Sequence, residues 1–229
     1  MIGDAKIVAV VPIKLNSERL NNKNILPFTN GKPLCWYIFD TLLKIAAIQE
    51  VYCYCSSPDI QNYIPSQVTW KQRSISLDLS TTKINEVLSS FANEVDADIY
   101  VMAHTTAPFI AIESIEKGLK AVVSGSYDSA LSVALIQDFM WKDGQPFNYS
   151  LNAIPRTQDL EPIFMETSGF YIFRNDTIIN MNRRIGNRPY LVVVNAVEAM
   201  DIDEKEDFEI ADAIYNNYYN HTQTTRSEG

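Results

Sequence analysis

Two short stretches near opposite ends of the chain carry the side chains best suited to nucleotide phosphates and a metal ion. The segment Val10–Asn24 (VVPIKLNSERLNNKN) sets Lys14, Arg19 and Lys23 among Asn16, Ser17, Asn21, Asn22 and Asn24, directly behind Pro12. Lysine offers a mobile point charge to phosphate oxygens, arginine a planar fork, and the amides and hydroxyl neutral hydrogen bonds to a base or ribose. A polar stretch of this length inside a compact domain also reads as a solvated connector, although such connectors are uncommon. At the other end stands Asp201-Ile202-Asp203. In extended backbone the two carboxylates point to the same side, an arrangement that suits magnesium, which keeps its waters and bridges to substrate phosphates. The competing reading is local: Asp203 caps the last helix, Glu206 completes a capping box, and Asp201 is a surface charge.

Three further groups have polar chemistry. His104-Thr105-Thr106-Ala107-Pro108 follows an apolar run and could bond a ribose or a sugar, or could be a turn with a satisfied histidine. Arg73 precedes the hydroxyl cluster Ser80-Thr81-Thr82, which is either a polar binding group or, at Ser80, a helix cap. Arg156 lies in Ile154-Pro155-Arg156-Thr157-Gln158, either a functional cation or a surface charge in a Pro-bounded loop.

Alternating elements must position these groups. Lys6–Ile13 is a near-continuous apolar, β-branched run, as expected of a strand buried on both faces of a parallel sheet. The pattern then predicts a helix over Pro33–Ile48, a strand over Glu50–Ser56, a helix over Ser80–Val95 and a strand over Asp98–Ala103. A helix over Ile112–Val123 and a strand over Asp128–Leu135 follow. Residues 137–166, with Pro146, Pro155, Pro162 and the turn signal W-K-D-G-Q-P, read as an excursion from the sheet. Strands at Ser168–Phe173 and Tyr190–Asn195, a helix over Glu204–Tyr219 and a frayed polar tail from His221 complete the reading. Repeated βα units predict a single α/β domain, a three-layer α/β/α fold with a mostly parallel sheet, whose ligands sit beyond the carboxyl ends of the strands.

Composition narrows the chemistry. The chain has 229 residues, 46% hydrophobic and 21% charged, with a net charge of −9, which disfavours a nucleic-acid partner. Residues 1–33 hold five Lys/Arg and two Asp/Glu, whereas residues 196–217 hold eight Asp/Glu and one Lys. Eight glycines, none closer together than Gly118 and Gly125, leave no G-x-G-x-x-G and no P-loop, so any phosphate loop must be of another kind. Three cysteines provide no disulfide framework, and Cys53 and Cys55 in V-Y-C-Y-C-S read as core thiols. The first residues, MIGDAKIVAVVPIK, read as a first strand and not a signal peptide, and no apolar run approaches a membrane span, so the expectation is a cytoplasmic protein.

The order of the motifs carries a resemblance. VPIKLNSERLNNKN followed by LPF resembles the N-terminal nucleotide loop of the acylneuraminate (CMP-sialic acid type) cytidylyltransferases, commonly I-P-A-R-x-x-S-x-x-x-x-x-K-N. HTTAPF resembles their Q-P-T-S-P-L, PRTQ and SGFYIF their P-R-Q and N-G-A-I-Y-I, and MDIDEKEDFEIAD their I-D-I-D-x-x-x-D-F-x-x-A-E. The matches run in family order from residue 7 to about residue 213. The resemblance implies a Rossmann-like nucleotidyltransferase fold, CTP and an acidic sugar as substrates, Mg2+ on Asp201 and Asp203, and a homodimer in which the excursion reaches towards the partner's site. It places CTP on Pro12, Lys14, Asn16, Ser17, Lys23 and Asn24, with Arg73 and Ser80 nearby, and the sugar on His104, Thr106 and Arg156. Lys14, Lys23, Asp201 and Asp203 would carry the reaction. Lys14 replaces an arginine, His104 a glutamine and Met165 a second sugar-facing arginine. These departures leave the CTP reading in place and leave open another acidic sugar or a relative that binds without catalysis; a nucleotidyltransferase for another base is a further alternative. The 3-deoxy-manno-octulosonate cytidylyltransferases resemble the chain less, because they carry Asp-Glu-Pro where it has Thr-Ala-Pro.

Overall fold

Strand β1, Ile7–Ile13, is central because its side chains are apolar on both sides, and the computed structural model, which describes residues 5–16 and 20–219, buries it accordingly. Ile7, Ala9, Val11 and Ile13 pack with α1 (Leu34–Leu43) and α3 (Ile112–Val123) on one face. Val8 and Val10 pack with α2 (Ile84–Glu94) and α4 (Asn175–Ile179) on the other. Helices on two faces of one sheet give the three layers expected.

The sheet has seven strands. With β2 (Glu50–Cys55), β3 (Thr69–Gln72), β4 (Ile99–Ala103), β5 (Ser129–Ile136), β8 (Ile163–Arg174) and β9 (Pro189–Val193), its order is β3-β2-β1-β4-β8-β5-β9. Every neighbouring pair is parallel except those made by β8, which runs antiparallel between β4 and β5. The carboxyl ends of β1, β2, β3 and β4 therefore share one edge, where the basic loop and the His-Thr-Thr segment emerge. Cys35, Cys53 and Cys55 are all buried on the α1 side, and burial pushes the Cys35 thiol up to about 12. Among the described residues, no helix is long and apolar enough to cross a membrane.

Several boundaries differ from those read in the sequence. Strand β1 runs through Pro12 to Ile13, one residue shorter at its start than the run read from Lys6. Pairing with β4 stops at Val10, so the missing N–H of Pro12 falls where β1 has only β2 as neighbour. Helix α2 starts at Ile84 with Lys83 as its cap, and the Glu86 carboxylate accepts the Lys83 N–H at 3.1 Å, so Ser80 lies in an exposed turn outside the helix. The short edge strand β3 and the five-residue α4 lack the alternation or length that would have marked them. The last helix, α5 (Lys205–Ile214), is capped at Glu204, and Asp207 accepts the backbone N–H of Glu204 at 2.8 Å and of Asp203 at 3.0 Å. The capping reading of Asp203 with Glu206 is thus displaced by one residue. Ser17 and the tail from residue 220 lie outside the described residues.

Residues 137–162 join β5 to β8 beyond the sheet. They hold a small hairpin, β6 (Trp141–Lys142) with β7 (Gln145–Pro146), closed by Asp143 and Gly144 at φ of 51° and 75°, which favours glycine at the turn.

A third apolar cluster ties α5 to the start of the chain. Phe28, 1% exposed, packs its ring 4.9 Å from Tyr37 and 5.0 Å from Phe208. Phe28→Ala should cost about 3–5 kcal/mol in chemical denaturation, because the cavity left between α1 and α5 has rigid neighbours. A change under about 1 kcal/mol would show that α5 does not depend on this packing.

Candidate active site

Lys23 sits at the first residue of a 3-10 turn, Lys23–Ile25, and is only 7% exposed. Its ammonium donates to the Ile202 carbonyl at 2.6 Å and meets the Asp203 carboxylate at 3.3 Å. The Ile202 side chain is fully buried, and Asp201 and Asp203 flank it half-buried, with one Asp201 carboxylate oxygen shut off from solvent. The Ile202 N–H in turn donates to the Thr106 carbonyl at 2.9 Å. The basic loop, the His-Thr-Thr segment and the Asp-Ile-Asp segment are therefore one cluster.

Asn24 ties the first two together. Its amide donates to the Lys14 carbonyl at 2.8 Å and accepts from the Thr105 hydroxyl at 2.5 Å. Lys14 extends the other way, its ammonium 3.4 Å from the Asp78 carbonyl. The Asp78 carboxylate accepts from both the Nε and an Nη of Arg73, and from the Ser56 hydroxyl. Arg73 is 4% exposed, so its guanidinium is held as part of the wall. A cavity of about 820 Å³ opens beside it beyond β2 and β3, lined by Ser56, Lys71, Gln72, Arg73, Ser74, Ile75 and Glu94.

Asn16 is exposed near the loop, and Ser80 is exposed in its turn. Arg156 is not gathered with the others. It forms a two-pronged pair with Asp159 at 2.7 and 2.9 Å on the excursion, and its side chain is 72% exposed. Met165 is exposed on the outer part of β8.

Beyond His104 the wall is built by a break in β8. Leu131 pairs with Tyr171 but Val133 pairs with Glu166, so the intervening β8 residues bulge around Ser132. The Ser132 hydroxyl accepts from the Thr167 hydroxyl at 2.8 Å and from the Phe170 N–H at 3.1 Å. Ser168 adopts a φ of 58° there, a sparsely populated conformation of the kind that clusters at functional sites. Sequence patterns did not single out Asp78, Glu166, Tyr171 or Arg184. Asp78, five residues after Arg73, could have been marked as its acidic partner. No spacing marks the other three.

His104 retains part of its surface, yet dense surroundings push its imidazole down to about 4, with the positive charges of Arg184 and Lys23 adding to the effect. It is neutral at pH 7, with one nitrogen to donate and one to accept. Between about 4 and the ordinary histidine value the unfolded chain binds the extra proton, so this group's contribution to stability rises with pH across that window and is lost as pH falls through it. In denaturation measured from about pH 4 to 7, His104→Gln should show a shallower rise than wild type. Identical slopes would contradict the burial.

With that geometry in place, comparison with known proteins is specific about family. A family model described as cytidylyltransferase matches residues 8–224. The N-acylneuraminate cytidylyltransferase of Streptococcus agalactiae serotype V is 20% identical over 217 residues, covering 89% of this chain and 52% of the relative. The chain thus spans about half the length of that relative. The 3-deoxy-manno-octulosonate cytidylyltransferase of Escherichia coli is 22% identical over 201 residues, covering 78% of this chain and 76% of the relative. Among solved structures, a CMP:2-keto-3-deoxy-manno-octonic acid synthetase complexed with CTP matches with a TM-score of 0.70 at 19% identity, covering 93% of this chain and 99% of that one. A 4-diphosphocytidyl-2C-methyl-D-erythritol synthase from Anaerococcus prevotii matches at 0.68 and 13%, covering 94% and 99%. The folds correspond to the three-layer nucleotidyltransferase architecture described above, and, matched by the family model over nearly its whole length, the chain belongs to the cytidylyltransferase family.

Proposed function

We propose that the protein transfers CMP from CTP to the anomeric hydroxyl of an acidic, nonulosonic-type sugar and releases pyrophosphate. The observation that carries this reading is the Lys23 contact, which joins the basic loop after β1 to the Asp201/Asp203 pair at the carboxyl edge of the sheet. That is where open α/β sheets bind ligands. The relatives' names supply the chemistry: N-acylneuraminate and 3-deoxy-manno-octulosonate are acidic sugars, as is the pseudaminic acid of a Helicobacter pylori relative 20% identical over 221 residues.

In this reading CTP lies along residues 12–24 and the sugar along His104, Thr106 and the β8 bulge. The anomeric oxygen attacks the α-phosphorus, and the bond to the β-phosphate oxygen breaks with its electrons leaving on pyrophosphate. The proton of the anomeric hydroxyl passes to solvent water as the new P–O bond forms. Lys14 and Lys23 offset the charge of the leaving group, Lys23 exchanging Asp203 for phosphate oxygen. Neutral His104 orients the sugar without adding charge. The work is positioning and electrostatics, so no activated serine or cysteine is required.

The donor set fits magnesium. Asp201 and Asp203 are hard oxygen donors on either side of a fixed Ile202, and Mg2+ is usually held by one or two carboxylates together with waters and substrate phosphates. Bound there, it would polarise phosphate oxygens and withdraw developing charge. Since the cap of α5 is Glu204, neither aspartate is needed to start the helix.

A homodimer belongs to the same reading. Trp141, Phe147, Leu151, Ile154, Phe164 and Met165 are all more than 40% exposed on the excursion and the outer part of β8, more apolar surface than a free arm tolerates in water. Light scattering at micromolar concentration should give twice the chain mass, and a monomer would remove the dimer from this account.

Thermal shift tests the function directly. CTP with magnesium should raise the melting temperature more than UTP, GTP or ATP does. Asp201→Asn and Asp203→Asn should each lower pyrophosphate release by orders of magnitude while melting close to wild type. Equal shifts from all four nucleotides, or full turnover in both variants, would defeat the proposal.

A further inference from the structure

If the acceptor is an acidic sugar, the site needs a cation for its carboxylate, and the two arginines assigned by resemblance do not provide one within this chain. Position 165 is methionine, and Arg156 is paired with Asp159 on the excursion. Arg184, which no motif marks, is differently placed. It lies between α4 and β9, in a loop fixed at many points. Gly186 N–H donates to the Ser129 hydroxyl at 2.9 Å, and the Asp128 carboxylate accepts from Asn187 N–H at 2.7 Å and Arg188 N–H at 2.9 and 3.0 Å. A Cβ at Gly186 would collide with that carboxylate, so only glycine permits the approach. Ser89 reaches across from α2 to Asn182 at 2.8 Å, and Ile185 packs on the core of that face.

The side chain is held as firmly as the loop. The Arg184 guanidinium lies 3.7 Å over the Tyr171 ring, its Nη2 is 3.0 Å from the Tyr171 hydroxyl, and 3.8 Å separates it from the Glu166 carboxylate. Tyr171 is 1% exposed, and its hydroxyl donates to Glu166 at 2.7 Å. Because Ala103 pairs with Phe170, and His104 N–H bonds Gly169, residues before 170 lie past the end of β4. The Tyr171–Glu166 bond therefore points towards the site, and Arg184 goes with it. The guanidinium has other N–H groups beyond the one on tyrosine, its side chain is 21% exposed, and its charge reaches His104. Glu166 at 3.8 Å is too distant for a hydrogen bond, so a two-pronged carboxylate would bind better than the present partner.

We propose that Arg184, seated on Tyr171 at the bulge of β8, is the specificity-determining residue that receives the carboxylate of the acidic acceptor. This rests on the cytidylyltransferase reading above. It makes carboxylate recognition a property of the α4–β9 loop, where the sequence offered no motif.

The test compares acid with ester. N-acetylneuraminic acid, pseudaminic acid and 3-deoxy-manno-octulosonate, each as free acid and methyl ester, are measured for pyrophosphate release, and for binding by saturation-transfer NMR in the presence of CMP. Wild type, Arg184→Met and Arg184→Lys are compared. The best wild-type acid should bind about 10- to 100-fold more tightly than its ester, the range expected for a charge-assisted pair. Arg184→Met should erase that difference by weakening the acid alone, with KM raised, kcat within a few-fold, and the CTP thermal shift kept. Arg184→Lys should restore part of the preference, since it keeps the charge without the fork. An acid preference that survives in Arg184→Met overturns the assignment, as does a wild type that binds acid and ester alike. If CTP itself produces no shift, the underlying reading fails and the assignment falls with it; a Met variant that melts far below wild type is replaced by Arg184→Lys, in which an unreduced acid preference together with unchanged KM overturns it.

Discussion

The ammonium of Lys23 connects residues 179 positions apart in the chain through its 2.6 Å bond to Ile202. A lysine this buried needs a counter-charge and full hydrogen bonding, and the last loop before α5 supplies a carbonyl and a carboxylate together. Around this contact the arrangement of the site is determined. It brings Asp201 and Asp203 to the edge of the central strand, and it sets the third apolar cluster, where Phe28 and Phe208 meet, directly behind them. Asn24, one residue on, then ties the same turn to Lys14 and Thr105.

Much of the fold was legible because its strands are buried on both faces. Apolar runs as short as those at residues 6–13, 98–103 and 128–135 suit strands covered by helices above and below, and helix α3 coincides with the range read from the sequence. Misses occurred where local patterns carry little information. Strand β3 is a four-residue edge whose side chains are half solvated, and the caps of α2 and α5 were misplaced because Ser80 and Asp203 are good capping residues that lost to Lys83 and Glu204. In both helices the deciding group is a carboxylate at the third helical position, Glu86 or Asp207, accepting the cap residue's N–H.

The site was legible in part for a similar reason. Residues adjacent in sequence, such as Asp201 and Asp203, or Lys23 and Asn24, announce themselves by spacing. Groups assembled across the sheet do not. Asp78 lies beside Lys14, and Arg184 reaches Tyr171, through contacts that only the folded arrangement creates. The family resemblance compensates for the first kind of residue and not the second, because it transfers positions only where motifs align. The comparisons follow the same division: they agree on the nucleotidyltransferase framework while naming several different acidic sugars at about 20% identity.

The single reversal in the sheet has a consequence for how such a protein can diversify. Parallel strands must be joined by segments that travel back along the whole layer, so altering one of those joins disturbs a helix. Strand β8 instead starts at the edge where β5 finishes, and the join between them stays on that edge. Its length can change at a cost that grows only logarithmically with added residues, and no helix is displaced. The chain therefore carries one region at an edge of its sheet that can be lengthened, shortened or rewritten while the parallel strands and their helices are left alone. Such a join gives the framework a place to vary that its helices do not feel.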